Sequence, residues 1–302
     1  MTADAMTERG ASPLETVRFD ARLDALLGDS PMLEKLCSGF RFCEGPVWDA
    51  RRNLLHFTDF PSLRIWRWSE TGGPEIACED SGREIGLAMD AQGRLLGCAS
   101  RWQCVSCREP DGSISRLPNR IAGTDTHLNN PNDLAIHSDG CIYLTDPYNP
   151  KTCPPRSAPG NGVYRLEPAD GSLFPVVDHM ERPNGLCFSP DESLLYVNDT
   201  TMQFIRVHDV SPDGSLSVGR MFARLDPGFG PGAPDGMKCD RAGNIWVTGP
   251  GGIWAIAADG TPLGILRIGE SVGNLAWGDA DGRSLFVTAS SSLYRIRTAT
   301  AG

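Results

Sequence analysis

The sequence predicts an all-β protein built as a six-bladed β-propeller, on three observations. A unit of apolar strand, acidic turn, apolar strand, short loop and apolar strand recurs six times. The copies lie about 40 to 53 residues apart. Gly (34) and Pro (23) are spread along the chain as turn punctuation instead of clustering into a disordered tract.

The middle strand of each unit carries the clearest pattern. In order these are Leu54–Asp59, Leu95–Ala99, Ile142–Asp146, Leu195–Asp199, Ile245–Thr248 and Leu285–Thr288. Each follows a turn such as Asp49-Ala50-Arg51-Arg52-Asn53 or Asp90-Ala91-Gln92-Gly93, whose Asp, Asn and Gly accept tight-turn dihedrals. A third strand follows in five units: Ile65–Trp68, Val163–Leu166, Ile205–His208, Ile253–Ile256 and Leu293–Ile296. Their alternation and their β-branched and aromatic residues are strand signatures. Four-stranded units at this spacing form propeller blades, in which radial packing protects the sheet edges. A β-sandwich gives no reason for six copies. Residues 1–36 read as an N-terminal extension and 37–302 as the catalytic propeller. Within the extension, Leu23 to Leu36 is expected to form a short helix or to supply a closing strand to the last blade.

With 302 residues, 40% hydrophobic and 22% charged, the chain has the composition of a globular protein with a sizeable core. The net charge of −10 argues against nucleic acid, which demands a clustered basic surface. No apolar run approaches the ~20 residues of a membrane span. Met1 to Ser12 is polar and lacks the apolar stretch of a signal peptide, so a cytoplasmic monomer or homodimer is expected. Of ten cysteines only Cys104 and Cys107 form a C-x-x-C, a weak metal signal. The cysteines are read as reduced structural residues.

The functional signal lies in the first strand of each unit, which lines the central channel of a propeller. Aligned on their apolar cores, the six copies read Glu44-Gly45-Pro46-Val47-Trp48, Ile85-Gly86-Leu87-Ala88-Met89, Asn132-Asp133-Leu134-Ala135-Ile136, Asn184-Gly185-Leu186-Cys187-Phe188, Asp235-Gly236-Met237-Lys238-Cys239 and Gly273-Asn274-Leu275-Ala276-Trp277. The entry residues face one another across the axis, and four carry an oxygen donor: Glu44, Asn132, Asn184 and Asp235. Asn or Asp before Gly can be a plain turn former. Four such residues at equivalent positions, with a Glu among them, point instead to one hard divalent cation. Two carboxylates neutralise the ion and two amide carbonyls complete the protein's share of ligands. Ca²⁺ leads, with Mg²⁺, Mn²⁺, Zn²⁺ and Fe²⁺ as alternatives.

Glu44-Gly45-Pro46, Pro131-Asn132-Asp133, Pro183-Asn184-Gly185 and Pro234-Asp235-Gly236 resemble the senescence-marker-protein, gluconolactonase and luciferin-regenerating-enzyme family, from about Phe40 to Arg297. The resemblance implies a six-bladed propeller with a single axial divalent metal that hydrolyses a lactone. It implies Glu44, Asn184 and Asp235 as metal ligands, with Asn132 a fourth ligand or a substrate contact. The animal members place an Arg two residues before the position of Asn132, where it helps to hold the sugar; here that residue is Asn130. The Asn129-Asn130-Pro131-Asn132-Asp133 segment is closer to the bacterial gluconolactonase-like branch, and the difference bears on which lactone is taken.

The mechanism expected is attack of water on a lactone carbonyl polarised by the cation, with Asp235 as general base and Glu44 as the alternative base. Asn130, His127, Asp146 and Tyr148 are expected to join Asn132 in lining the mouth around a small-molecule lactone, and the loop Tyr148 to Asn161 is long enough to cover it. An organophosphate triesterase using the same ligands, and a non-catalytic calcium-binding propeller, are the competing readings. The five histidines form no cluster at zinc spacing and no Gly-x-Ser-x-Gly elbow is present, which disfavours a zinc hydrolase and a serine esterase. Ser189 reads as part of a turn.

Overall fold

A computed structural model describes residues 9–148, 157–158 and 160–302. Among these residues, twenty-six strands form six antiparallel sheets arranged as the blades of a propeller. Blades 1 to 4 follow the chain, with inner strands Cys43–Asp49, Glu84–Met89, Leu134–Ile136 and Pro183–Phe188. Blade 5 starts at Met237–Cys239 and blade 6 at Val272–Gly278. In each blade the second strand coincides, to within a residue or two, with the apolar run that marks the repeat.

Two features go beyond the sequence pattern. The third strand of blade 2 is Cys104–Arg108, so the Cys-x-x-Cys lies along one strand. Residues three apart on a strand face opposite sides of the sheet, so these thiols cannot converge on a metal. The segment ahead of Phe40 supplies both a helix, Arg22–Leu27, and a strand, Met32–Ser38, which pairs with Ser292–Arg297 as the fourth strand of blade 6. Joining the start of the chain to its last blade ties the two ends of the ring together. Gly10–Pro13 and Glu15–Arg18 then add fifth strands to blades 6 and 5.

The apolar core lies between neighbouring blades. Tyr143, Val163, Leu195 and Val197 fill the junction of blades 3 and 4, and Met237, Ile245, Tyr196 and Ile205 that of blades 4 and 5. The short helix buries Leu23 and Leu27 against blades 5 and 6. The junction of blades 1 and 2 has the smallest apolar cluster, Ile65, Leu87 and Leu95. Close to it in blade 2, Glu84 is buried and accepts hydrogen bonds from Ser106 and Arg108. The nine described cysteines form no disulfide. Among the described residues no helix is long and apolar enough to cross a membrane.

Candidate axial site

Every inner strand departs from regular pairing where it meets the axis. In blade 1, Glu44 pairs with Thr58 but Val47 pairs with His56, so one residue is extra. The same happens between Glu84 and Leu87, Pro183 and Leu186, and Val272 and Asn274. In blades 3 and 5 the regular ladder begins only at Leu134 and Met237, after the axial residue. A bulge re-aims a side chain out of the strict alternation of a strand. Here it lets the entry residues turn toward the axis.

The bulged segments are stitched to one another around the ring. Thr58 Oγ1 donates to the carbonyl of Ile85 at 3.0 Å, and the Gly86 N–H to that of Asn132 at 2.8 Å. The Gly185 N–H donates to the carbonyl of Asp235 at 3.0 Å and the Gly236 N–H to that of Gly273 at 2.8 Å. These bonds need neighbouring backbones closer than side chains allow. A Cβ at Gly185 would strike the Asp235 carbonyl, and one at Gly86 would lie 2.8 Å from the Asn132 carbonyl. Gly273 has another use: a Cβ there would stand 2.6 Å from Glu44 Oε1, so glycine in blade 6 makes room for the carboxylate of blade 1.

Three of the four predicted donors meet on the axis. Glu44 is 3% exposed and accepts the Gly45 N–H at 2.9 Å. Asn184 is 5% exposed; its Nδ2 donates to Thr200 Oγ1 at 3.0 Å, while its Oδ1 is buried with no hydrogen-bond partner. Asp235 is partly buried, lies against the Asn184 amide and feels the charge of Glu44. Its own N–H is held by Thr248 Oγ1 at 2.9 Å and its carbonyl by Asn198 Nδ2 at 2.5 Å. Asn132 occupies the same rim, partly buried, with its backbone fixed by Gly86 and by the carbonyl of Thr145 at 2.9 Å.

Of the remaining predicted residues, His127 and Asn130 lie on the loop that enters blade 3, while Asp146 ends its second strand and Tyr148 follows it. Asp146 is fully buried, and its carboxylate accepts the backbone N–H groups of Asn129 at 2.9 Å and Asn130 at 2.6 Å. Asp59 and Asp199 do the same for Arg41–Phe42 and Glu181–Arg182, so an Asp ending the second strand is a repeated loop anchor. Asn130 is thereby held beside the rim. The His127 ring bonds the neighbouring Leu128 carbonyl at 2.9 Å, and the His127 backbone N–H donates to Ser157 Oγ. The Tyr148 N–H donates to Asn161 Oδ1 at 2.9 Å. Most of the expected covering loop, Asn149 included, lies outside the described residues. Ser189 Oγ bonds Asp191 within a turn.

Three polar residues on the axis were not singled out from the sequence: Asp133, Asn274 and Lys238. Blades 3 and 6 stand opposite each other, yet Asn274 Nδ2 reaches Asp133 Oδ2 across the axis at 3.4 Å. Asn274 also lies against Glu44, and its Oδ1 accepts from Lys238 Nζ at 3.4 Å. A signal for two of them was present. The residue after the entry position is Gly in blades 1, 2, 4 and 5, but Asp133 and Asn274 in blades 3 and 6.

The electrostatics of this cluster are unfavourable without a cation. Burial pushes Glu44 up to about 7, helped by the charge of Asp133 and opposed by the Gly45 N–H. Burial raises Asp235 well above the usual carboxylate range, and Glu44 and Asp133 raise it further. Asp133 is likewise raised, chiefly by burial. Among the described residues no three His, Cys, Asp or Glu side chains are arranged to hold a metal by themselves, so a cation here must draw on amide oxygens. The buried, partnerless Oδ1 of Asn184 is such a donor, since an unsatisfied buried carbonyl costs about 1–3 kcal/mol unless something binds it.

Fold and site together define a closed six-bladed propeller with an acidic, oxygen-lined axial pocket. Comparison with known proteins narrows that class. Residues 42–291 match the family described as SMP-30/Gluconolactonase/LRE-like region. A gluconolactonase from Zymomonas mobilis is 32% identical over 97% of this chain and 88% of its own length. A pentonolactonase from Haloferax volcanii is 31% identical over 82% of this chain and 81% of its own. A solved gluconolactonase structure from Xanthomonas campestris superposes with a TM-score of 0.86 at 31% identity, covering 96% of this chain and 97% of that one. The chain belongs to the SMP-30/gluconolactonase/luciferin-regenerating-enzyme-like family.

Proposed function

We propose that this protein is a lactonase that opens a sugar lactone at the axial site with the help of one divalent cation. The observation that carries the metal part is the meeting of Glu44, Asn184 and Asp235 on the axis, with Asn184 Oδ1 buried and bare. The lactonase part is supported by relatives named gluconolactonase, pentonolactonase and L-arabinolactonase. Glu44, Asn184 and Asp235 would hold the ion, with Asn132 a further ligand or a contact to the lactone. A divalent cation supplies Lewis-acid polarisation of the lactone carbonyl, with Ca²⁺ the first choice for an all-oxygen donor set.

The protein's own groups do the rest. Asp235, the more exposed of the two carboxylates, takes a proton from the attacking water as its oxygen bonds to the carbonyl carbon. When the ring C–O bond breaks, that proton is returned to the departing alkoxide oxygen and the product is a hydroxy acid. Glu44, buried and held by the Gly45 N–H, stays in place as a fixed negative charge. Asn184 is oriented through Thr200, whose own hydroxyl is anchored on the Pro234 carbonyl at 2.7 Å. Asp146 positions Asn130 and Asn132 through the loop backbone. Asn130, with His127 and Tyr148 on the adjoining loop segments, provides the polar surface for the hydroxyls of the lactone.

The test is proton release near neutral pH on gluconolactone, xylonolactone, galactonolactone and an aromatic lactone, using chelator-stripped protein refilled with single metals. Turnover that requires added metal and collapses in Asp235→Asn is the expected result. Turnover indifferent to chelation, or intact in Asp235→Asn, would overturn the assignment.

A further inference from the structure

The channel below the proposed ligands contains a charge that lactone chemistry does not call for. Lys238 sits on the inner strand of blade 5, where the other five inner strands carry Val47, Ala88, Ala135, Cys187 and Ala276. Its Nζ donates to the Met237 carbonyl at 3.0 Å and to Asn274 Oδ1 at 3.4 Å. Through Asn274 it joins the cross-axis bond to Asp133, and its charge acts on both Asp133 and Glu44. Lysine in an apolar wall costs desolvation and side-chain entropy, so its neighbours must offset both.

The neighbours identify what it offsets. Three carboxylates, Glu44, Asp133 and Asp235, share the axis and act on one another's charge. Ionised together they carry three negative charges; with Lys238 the cluster carries two, the charge of one divalent ion. Resting on the metal reading above, we propose that Lys238 is a built-in counter-cation that matches the axial cluster to a divalent ion and disfavours a trivalent one. Asn274 is the coupling piece. Its amide accepts from the ammonium on one side and donates to Asp133 on the other, so the lysine is tied to the acid through one side chain. A charge so placed changes the affinity of every cation in the site in proportion to that cation's own charge. Removing it therefore favours a trivalent ion more than a divalent one of similar radius.

Isothermal titration calorimetry with Ca²⁺ and with La³⁺ on chelator-stripped protein reads this without reference to catalysis. Lys238→Met is expected to raise the ratio of La³⁺ to Ca²⁺ affinity by roughly tenfold or more. Asp133→Asn with Lys238→Met restores two net negative charges and is expected to return the ratio to near the wild-type value. That restoration separates charge matching from a packing role, which the second substitution would not repair. Thermal melts establish that each variant is folded; if Lys238→Met is not, Lys238→Gln and the double variant, in which Asp133 is not left without its counter-charge, carry the same comparison. A ratio unchanged in the single variant, or not restored in the double, overturns the proposal. Wild-type protein that binds neither ion overturns it together with the metal reading, and the wild-type titration alone tells the two failures apart.

Discussion

Substituting Glu44 by Gln should make the metal-free protein more stable at alkaline pH, although it removes a proposed ligand. Glu44 is almost wholly buried, and its carboxyl is raised from an ordinary value of 4.5 to about 7. An acid whose folded-state pKa lies above its unfolded one binds its proton more tightly when folded. It therefore costs nothing below pH ~4.5, and stability is lost as pH rises from ~4.5 to ~7. The separation corresponds to on the order of 3 kcal/mol, fully present above pH ~7. Glutamine keeps an oxygen for the Gly45 N–H and has no charge to bury. Urea denaturation of chelator-stripped wild type and Glu44→Gln from pH 4 to pH 8 should show the variant gaining on the wild type by on the order of 3 kcal/mol across that window. Adding saturating Ca²⁺ at pH 8 should stabilise the wild type more than the variant, because only the wild type regains a compensated charge. A stability difference that stays flat with pH in stripped protein would refute the reasoning, since burial of an uncompensated carboxylate would then not be the cause of the shift.

Three further outcomes follow from the same structure. Asp235→Asn should retain Ca²⁺ binding measurable by calorimetry but lower kcat on the preferred lactone by at least about a hundredfold, as expected for loss of a general base. Asp146→Ala removes the acceptor for two loop N–H groups at a fully buried position and should cost about 3 kcal/mol in denaturant unfolding. It should also raise KM more than it lowers kcat, because it loosens Asn130 and Asn132 without touching the base. Leu23→Ala, which empties a fully buried position of the N-terminal helix against blades 5 and 6, should cost about 2–5 kcal/mol by thermal or chemical unfolding and leave kcat/KM unchanged.

Much of this protein is legible in its sequence because a propeller repeats one solution. Strand alternation, the Asp-rich turns and the apolar middle strands recur with little disguise, and a one-dimensional pattern is enough to count the blades. The weakest copy is blade 2, whose third strand, Cys104–Arg108, carries two cysteines, a serine and an arginine. Its polarity is explained by Glu84, which turns Ser106 and Arg108 inward as partners, a relation no local pattern encodes. Among the site residues, Glu44, Asn184 and Asp235 can be picked out because they hold equivalent places in different repeats. Asp146 stands out equally well, yet its carboxylate is engaged with the Asn129 and Asn130 backbone, where the sequence suggested a substrate contact. An acid at a strand end looks the same in one dimension whether it faces a ligand or an amide.

By itself the sequence determined the number of blades and singled out Glu44, Asn132, Asn184 and Asp235 as oxygen donors at equivalent places in different repeats. These follow from periodicity and composition, which act along the chain. Only the tertiary structure decided what shares the axis with those donors. Strict alternation would turn Asp133 and Asn274 away from their axial neighbours Asn132 and Gly273. They meet across the channel because the inner strands leave regular pairing where they approach the axis, and because glycines let adjacent backbones close to hydrogen-bonding distance. Lys238 acquires its meaning only there, since a single lysine in an apolar strand says little until the buried carboxylates of Glu44 and Asp133 are found within reach of its charge. Electrostatic energy depends on distance in space and on the exclusion of water, and both are fixed by the closure of the ring.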